Sequence, residues 1–226
     1  MALILCIETS ASMCSVALFD GGKLLHCEEE NKKNSHAELL LPFVEKCLKL
    51  ANKERKDIEA IAISEGPGSY TGLRIGTSTA KGLCYALEIP LIAVDTLTTM
   101  VEGIENRQDF DLFIPMQDAR RMEVYTCLLN QDLEKIQETN ALVVDENSFD
   151  EIKDKRLAFF GDGAMKCEEA LAHLPQATFF SDIVPSSKYM GLEANEKYKK
   201  KEFEDVAYFV PFYLKNFVAG MPKKLV

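Results

Sequence analysis

The chain contains no tryptophan and only three histidines, His26, His36 and His173, scattered along its length. A serine or metal-dependent hydrolase needs a base or a ligand set, and these three form no recognisable constellation. Paired cysteines are lacking too. Cys6, Cys14, Cys27, Cys47, Cys84, Cys127 and Cys167 are odd in number, no two have C-x-x-C spacing, and most lie in apolar runs. That pattern excludes a disulfide framework and a zinc site and suits reduced, buried thiols in the cytosol. No apolar run approaches the roughly 20 residues of a membrane span. Residues 1–7 are apolar, but Glu8 stops the run and no basic region opens it, so it does not read as a signal peptide. Basic residues are in deficit: 26 Lys and Arg against 36 Asp and Glu give a net charge of −10. A protein that grips nucleic acid by its phosphates shows a basic face. The one dense basic run here, Lys199-Lys200-Lys201, reads as a solvated helix end. The expectation is a cytoplasmic protein with no membrane association and no strong nucleic-acid binding of its own.

What is present is 226 residues, 47% of them hydrophobic, enough to bury a sizeable core. Residues 3–7 and 15–19 are β-rich runs around the loop Glu8-Thr9-Ser10-Ala11-Ser12, and Asp20-Gly21-Gly22 turns the chain into a third strand near 24–30. Ser35 and Glu38 have capping-box spacing at the head of a helix that runs to about Ala51. Residues 60–64 read as a buried strand, Gly66-Pro67-Gly68 as a tight turn, 72–87 as a helix and 90–94 as another strand, with Asp95 or Thr96 capping a third helix that ends near Gly103. Then the order restarts. Residues 113–117 and 123–129 are strands around Asp118-Ala119-Arg120-Arg121, 133–144 and 157–160 are further strands, and 164–172 reads as a shortened helix. An offset that sets Glu8 on Asp118 also brings the Asp20-Gly21-Gly22 turn near Asn130-Gln131-Asp132. The repeat is one of element order, not of sequence identity. It predicts an α/β protein of two ribonuclease-H-like lobes, the actin and sugar-kinase (ASKHA) architecture, each a mixed sheet opened by a β-meander and flanked by helices. The lobes are set at residues 1–104 and 105–226, the second degenerate and its C-terminal tail open to packing on either lobe.

Both long helices have unusual surfaces. In the helix over 72–87, Leu73, Gly76, Ala80, Leu83, Cys84 and Leu87 share a stripe, while Gly72, Gly76 and Ala80 recur every fourth position and thin one side. Glycine inside a helix costs about 1 kcal/mol against alanine, so a closely packed backbone is expected in that groove, from this chain or from a partner. In the helix from Ser35, a core stripe of Leu40, Val44, Cys47, Leu48 and Ala51 leaves Leu39, Leu41, Phe43 and Leu50 outside it, an apolar arc wide enough for burial on two sides. Pro42 removes one helical hydrogen bond. In actin-like proteins a hydroxyl loop such as Thr9-Ser10-Ala11-Ser12 reaches a phosphate beside an acidic residue, so Glu8, Thr9, Ser10 and Ser12 are the candidates for standing near a nucleotide. The matching loop in the second half, Asp118-Ala119-Arg120-Arg121, is bulky and charged and suits a salt-bridged hairpin better. The clamp is half built, and ordinary turn chemistry is the favoured reading. The glycine-rich segment before the second helix has neither dinucleotide nor P-loop spacing. Ser69 or Thr71 is a natural N-cap there, and Arg74 suits a partner carboxylate or a nucleotide phosphate.

The segment Gly66-Pro67-Gly68-Ser69-Tyr70-Thr71-Gly72-Leu73-Arg74-Ile75-Gly76 is long and specific. With Ile7-Glu8-Thr9-Ser10 before it and Asp118-Ala119-Arg120-Arg121-Met122-Glu123-Val124-Tyr125 after it, the chain resembles the TsaB (YeaZ) family. Lesser matches at Asn34-Ser35-His36-Ala37-Glu38-Leu39-Leu40-Leu41-Pro42, Gly161-Asp162-Gly163 and Pro211-Phe212-Tyr213-Leu214-Lys215 extend the resemblance over essentially the whole chain. It implies a non-catalytic partner subunit required for threonylcarbamoyl transfer to adenosine 37 of ANN-decoding tRNA. The partners it implies are TsaD, which holds the transferase site and its metal, and the ATPase TsaE, with tRNA reached indirectly and a homodimer formed when the chain is alone. It implies no intrinsic cofactor, with ATP or ADP at the partner interface, and no metal: of the two helical histidines that TsaD uses, four residues apart, only His36 is present, with Leu40 in the second place. The implied partner-binding residues are His36, Leu39, Leu40, Phe43, Cys47, Tyr70, Thr71, Leu73, Arg74, Gly76, Thr77, Ala80 and Cys84. The rivals are an actin-fold ATPase or kinase or a peptidase-like enzyme in its own right, and a homodimeric binding protein.

Overall fold

The structure, a computed structural model, describes residues 1–32 and 35–215. β1 (Leu3–Glu8), β2 (Met13–Asp20) and β3 (Lys23–Asn31) form an antiparallel meander. Gly21 and Gly22 make the second turn at φ of 58° and 87°, the hairpin geometry that favours glycine at both central positions. β4 (Ala60–Gly66) and β5 (Leu91–Asp95) join β1 in parallel and give the order β3-β2-β1-β4-β5. β1 and β4 are covered on both faces, so their residues form continuous apolar runs instead of alternating ones. α1 (His36–Leu50) and α2 (Tyr70–Leu87) lie on one face, where Leu40, Val44, Cys47, Ala80 and Cys84 meet Leu5, Ile7, Val16 and Ile63. The Ser35 hydroxyl donates backward to Lys32 O at 2.6 Å and makes no cap bond, so the expected capping box is not formed. Asp95 caps α3 (Thr96–Thr99) by accepting from Leu97 N and Thr98 N at 2.8 and 2.9 Å.

The second half repeats this plan. β6 (Leu112–Asp118), β7 (Glu123–Leu129) and β8 (Lys135–Val143) form the meander, and β9 (Leu157–Phe160) joins β6 in parallel. β10 (Ala177–Phe180), parallel to β9, is a strand that the sequence pattern does not announce. The order β10-β9-β6-β7-β8 has antiparallel and parallel pairs in the same places as the first sheet. Two copies of one topology make the two-lobed, actin-like and ribonuclease-H-like α/β fold. The second copy is stripped of its helices. Where α2 links β4 to β5, the β9–β10 link has a 3-10 turn at Met165–Cys167 in place of the helix expected over 164–172. Ala164, Cys167, Leu171 and Leu174 keep a helical spacing and are buried. However, Ala164 N donates to Gly161 O and Cys167 N to Ala164 O, closing turns three residues apart, while Lys166 is drawn to Asp118 and to Glu123 O.

The last part of the chain returns to the first lobe. α4 (Gly191–Lys200) covers the sheet face opposite α1 and α2, with Met190 and Ala194 against Ile4, Cys6, Ala17 and Ile92. Beyond it Glu204 N donates to Leu91 O at 2.9 Å, Phe209 enters the core under α1 and α2, and Phe212 N donates to Glu65 O at 2.7 Å. Residues 186–212, which follow the boundary expected at 104/105 and include the tail left open to either lobe, pack on the first lobe. The exposed alternative explains why: the second face of β1, β4 and β5 is apolar, and nothing in the first 104 residues covers it. Residues 216–226 of the tail lie outside the described residues.

Candidate functional site at the lobe junction

The loop between β1 and β2 is wedged between α2 and β6. Glu8, buried at the end of β1, accepts from Ser10 N at 2.5 Å and from the Ser64 hydroxyl at 2.9 Å. Burial pushes its carboxyl above the usual value, and hydrogen bonds from the Ser10 and Ser64 hydroxyls and the backbone of Ser10 and Thr9 pull the other way. Thr9 Oγ1 donates to Gly72 O at 2.8 Å, and Ser69 N donates to Ser10 O at 2.6 Å. From the other lobe, Gln117 Nε2 donates to both Ser10 O and Ser10 Oγ at 3.0 Å. A hydrogen-bond chain thus runs from Gln117 through the Ser10 hydroxyl to Glu8 and Ser64. Gln117 is 1% exposed, and its Oε1 has no partner among the described residues. A Cβ at Gly68 would stand 2.6 Å from Ser10 O and 2.9 Å from Gln117 Nε2, so the lobes close here because that side chain is missing.

The Thr9 hydroxyl and Ser10 N already donate within the chain, and the Glu8 carboxyl is buried. Of the four nucleotide-proximal candidates, Glu8, Thr9 and Ser10 are buried and only Ser12 is exposed. The side chains of Glu8, Thr9 and Ser10 thus face inward, each in a hydrogen bond within the chain. The second-lobe loop is a salt-bridged hairpin. Asp118 pairs with Lys166 and accepts from Arg120 N at 2.9 Å, while Asp118 N donates to Asp162 Oδ1 at 3.0 Å. Burial pushes the Asp162 carboxyl up to about 6. His36 Nε2 lies 3.0 Å from Ala11 O, His26 pairs with Glu28 at 2.6 Å and His173 with Asp150 at 3.3 Å. Among the described residues no cluster of His, Cys, Asp or Glu could hold a metal ion. Burial pushes the thiols of Cys14, Cys47, Cys84 and Cys127 up to about 12, which makes them poor nucleophiles at neutral pH.

A family model described as TsaD, tRNA N6-adenosine threonylcarbamoyltransferase, matches residues 25–222. The Bacillus subtilis tRNA threonylcarbamoyladenosine biosynthesis protein TsaB is 30% identical over 226 residues, which cover 94% of this chain and 93% of that one. The chain belongs to the TsaB family. The Escherichia coli TsaB is 36% identical over 146 residues, and that match spans 63% of each protein. A crystal structure from Pseudomonas aeruginosa, of a protein described as similar to the peptidase YEAZ, superposes with a TM-score of 0.79 at 25% identity, over 95% of this chain and 100% of that one.

The partner-binding residues expected of a TsaB member divide in two. His36, Leu40, Phe43, Cys47, Leu73, Gly76, Thr77, Ala80 and Cys84 are buried inside the first lobe itself, and are withdrawn as partner contacts. Side chains at Gly72 and Gly76 would run into Thr9, so the groove on α2 is filled by this chain's own β1–β2 loop. Leu39 and Tyr70 are half-buried, and Thr71 and Arg74 are exposed. The outward side of the two helices carries Leu41 (55% exposed) and Leu50 on α1, which the sequence already sets outside the core stripe, and Ser78, Gly82, Tyr85 (85% exposed) and Ala86 on α2, which the sequence reading passed over. Because α1 and α2 cover the same sheet face, their outward sides belong to one surface. The signal was available. Leu41 and Leu50 fall off the core stripe, and Ser78, Gly82 and Ala86 repeat the every-fourth-residue thinning on the open side of α2.

Proposed function

We propose that this TsaB member is a non-catalytic partner subunit needed for threonylcarbamoyl transfer to adenosine 37 of ANN-decoding tRNA. It works as a heterodimer with TsaD, which carries the chemistry, and together with the ATPase TsaE. The docking surface is the outward side of α1 and α2. The observation that supports this best is the junction of the lobes, where Thr9 is bonded to Gly72 and Ser10 to both Glu8 and Gln117. Large apolar side chains stand outward instead, on Leu41 and Tyr85. The same surface pairs two copies when TsaD is absent. ATP or ADP belongs at the partner junction near Arg74 rather than in the β1–β2 loop, and tRNA is reached mainly through the complex. A peptidase-like activity is the second reading, favoured by the description of the Pseudomonas aeruginosa neighbour. Among the described residues none of the three histidines has a serine hydroxyl or a cysteine thiol as a hydrogen-bond partner, which speaks against it.

The test is reconstituted tRNA modification with TsaD, TsaE, the AMP-forming enzyme that makes the threonylcarbamoyl donor, threonine, bicarbonate and ATP. It is run with no TsaB member, with this chain, and with Gly82→Leu. A Cβ at Gly82 meets nothing within 4 Å, so leucine there leaves the fold intact and favours the helix by about 0.8 kcal/mol. The expected result is a more stable chain that no longer co-elutes with TsaD and no longer supports modification. Equal modification without the chain, or turnover of ATP or peptide by the chain alone, sinks the reading.

A further inference from the structure

The tip of the β6–β7 hairpin has no part in the proposed docking surface, yet it is unusual. Arg120 and Arg121 occupy it at φ of 75° and 52°, a left-handed conformation that non-glycine residues seldom take. Both side chains are exposed, and neither guanidinium has an ion-pair or hydrogen-bond partner among the described residues. The nearby carboxylates are already matched, Asp118 by Lys166 and Glu123 by Lys215. The charge of the two arginines is therefore unspent in a chain whose net charge is −10.

Aromatic rings continue from this tip to the other lobe. Tyr125 follows on β7, its ring 5.8 Å from Lys215 Nζ. Two residues earlier in the tail, the Tyr213 ring lies 4.6 Å from the Tyr70 ring. Arg74 caps that pair, its guanidinium 4.4 Å from the Tyr70 ring centre and 2.6 Å from the Tyr70 hydroxyl. Cations and tyrosines thus lie interspersed from β7 of the second lobe, along the tail, to the first turn of α2. Interspersed cations and ring faces are what a single strand of nucleic acid engages, phosphates on the cations and bases on the rings. A lone nucleotide would ask for cations converging on one cradle, and here they are strung out along both lobes.

We infer that the strip Arg120, Arg121, Tyr125, Tyr213 and Arg74 is a contact surface for single-stranded RNA. The contact is weak and local, in keeping with the acidic chain around it, and it adds to whatever grip a partner provides. It goes beyond the partner-subunit reading, and measuring it on the chain alone keeps the two apart.

The experiment is fluorescence anisotropy of a labelled, unstructured RNA of about 12 nucleotides, titrated with the full chain at low salt. Wild type is compared with the double variant Arg120→Gln/Arg121→Gln and with Lys199→Gln/Lys200→Gln, a control on the basic end of α4. Each single-strand phosphate contact adds about 0.7 to the slope of log affinity against log salt, so losing two lowers the slope by about 1.4. Those two contacts account for about a sevenfold part of the affinity lost on a fourfold rise in salt. The expected result is that reduction in the arginine variant alone, with circular dichroism unchanged. Wild-type affinity in the arginine variant, an equal loss in the lysine control, or binding of ADP with none of RNA overturns the inference. Co-elution with TsaD, scored separately on the same variants, reports on the partner-subunit reading.

Discussion

Replacing Gly76 with alanine tests whether the groove on α2 belongs to this chain. A Cβ there falls far inside contact distance of Thr9 Oγ1 and 3.0 Å from Ile63 Cδ1. The Thr9 hydroxyl must swing away, and its buried 2.8 Å bond to Gly72 O is lost. Losing a buried hydrogen bond costs about 1–3 kcal/mol, and crowding a packed core about 1–3 kcal/mol. Better helix propensity returns about 1 kcal/mol, leaving a net loss of about 2.5 kcal/mol. Thr9→Ala alone forfeits the hydrogen bond and a buried methyl, about 1.5 kcal/mol. In the double variant the new Cβ faces a Thr9 Cβ position 3.4 Å away, an ordinary contact. Its cost falls to about 1 kcal/mol, where strict additivity gives about 4. Urea denaturation of the four proteins measures that coupling of about 3 kcal/mol. Additivity within about 0.5 kcal/mol, or a Gly76→Ala chain more stable than wild type, refutes the assignment and returns the groove to a partner helix.

The junction makes further outcomes measurable. Asp162 has a folded pKa of about 6 against an ordinary 3.8, because burial disfavours its charge. The folded chain thus holds that proton more tightly than the unfolded one, and the stability it contributes is full below about pH 4 and lost as pH rises through 6. Asp162→Asn keeps an oxygen for Asp118 N, so its urea midpoint should decline less between pH 4 and 7 than that of wild type. Lys135 and Asp95 join the lobes at 2.7 Å, and Asp95 also caps α3. Asp95→Ala should therefore cost about 2–3 kcal/mol in thermal or urea unfolding, and Lys135→Met less than about 1 kcal/mol. Equal costs would mean that the cap contributes nothing.

The strands were legible because chemistry and period agree. Runs such as residues 3–7 and Leu157–Phe160 are continuously apolar and lie inside their sheets. The ion pair expected of the Asp118-Ala119-Arg120-Arg121 loop was legible only in part: Asp118 is paired, but with Lys166 outside the loop and with neither arginine. α4 was not, because its buried side is Gly191, Ala194 and Asn195, small or polar residues that trace no apolar stripe. Most of the residues expected at a partner are buried within this chain, and that was illegible for a different reason. Helical period reveals that a stripe is buried, but not which chain buries it. What fills the groove on α2 is Thr9, 63 residues away from Gly72 and brought there by the parallel pairing of β1 with β4.

That pairing also links the two lobes' behaviour to the helices above them. Gly72 and Gly76 rest on Thr9, Thr9 adjoins Ser10, and Ser10 is held by Gln117 of the second lobe. The outward side of α2 is therefore carried on a stack that begins at the junction, with the Asp95–Lys135 pair as a second tie. A surface held in place before docking loses less freedom on assembly than a mobile one. On the partner-subunit reading, Gln117→Ala should then weaken co-elution with TsaD although Gln117 is buried and out of reach of any partner. Undiminished assembly in that variant would detach the docking surface from the junction, and the bonded loop would be only a relic of a phosphate site.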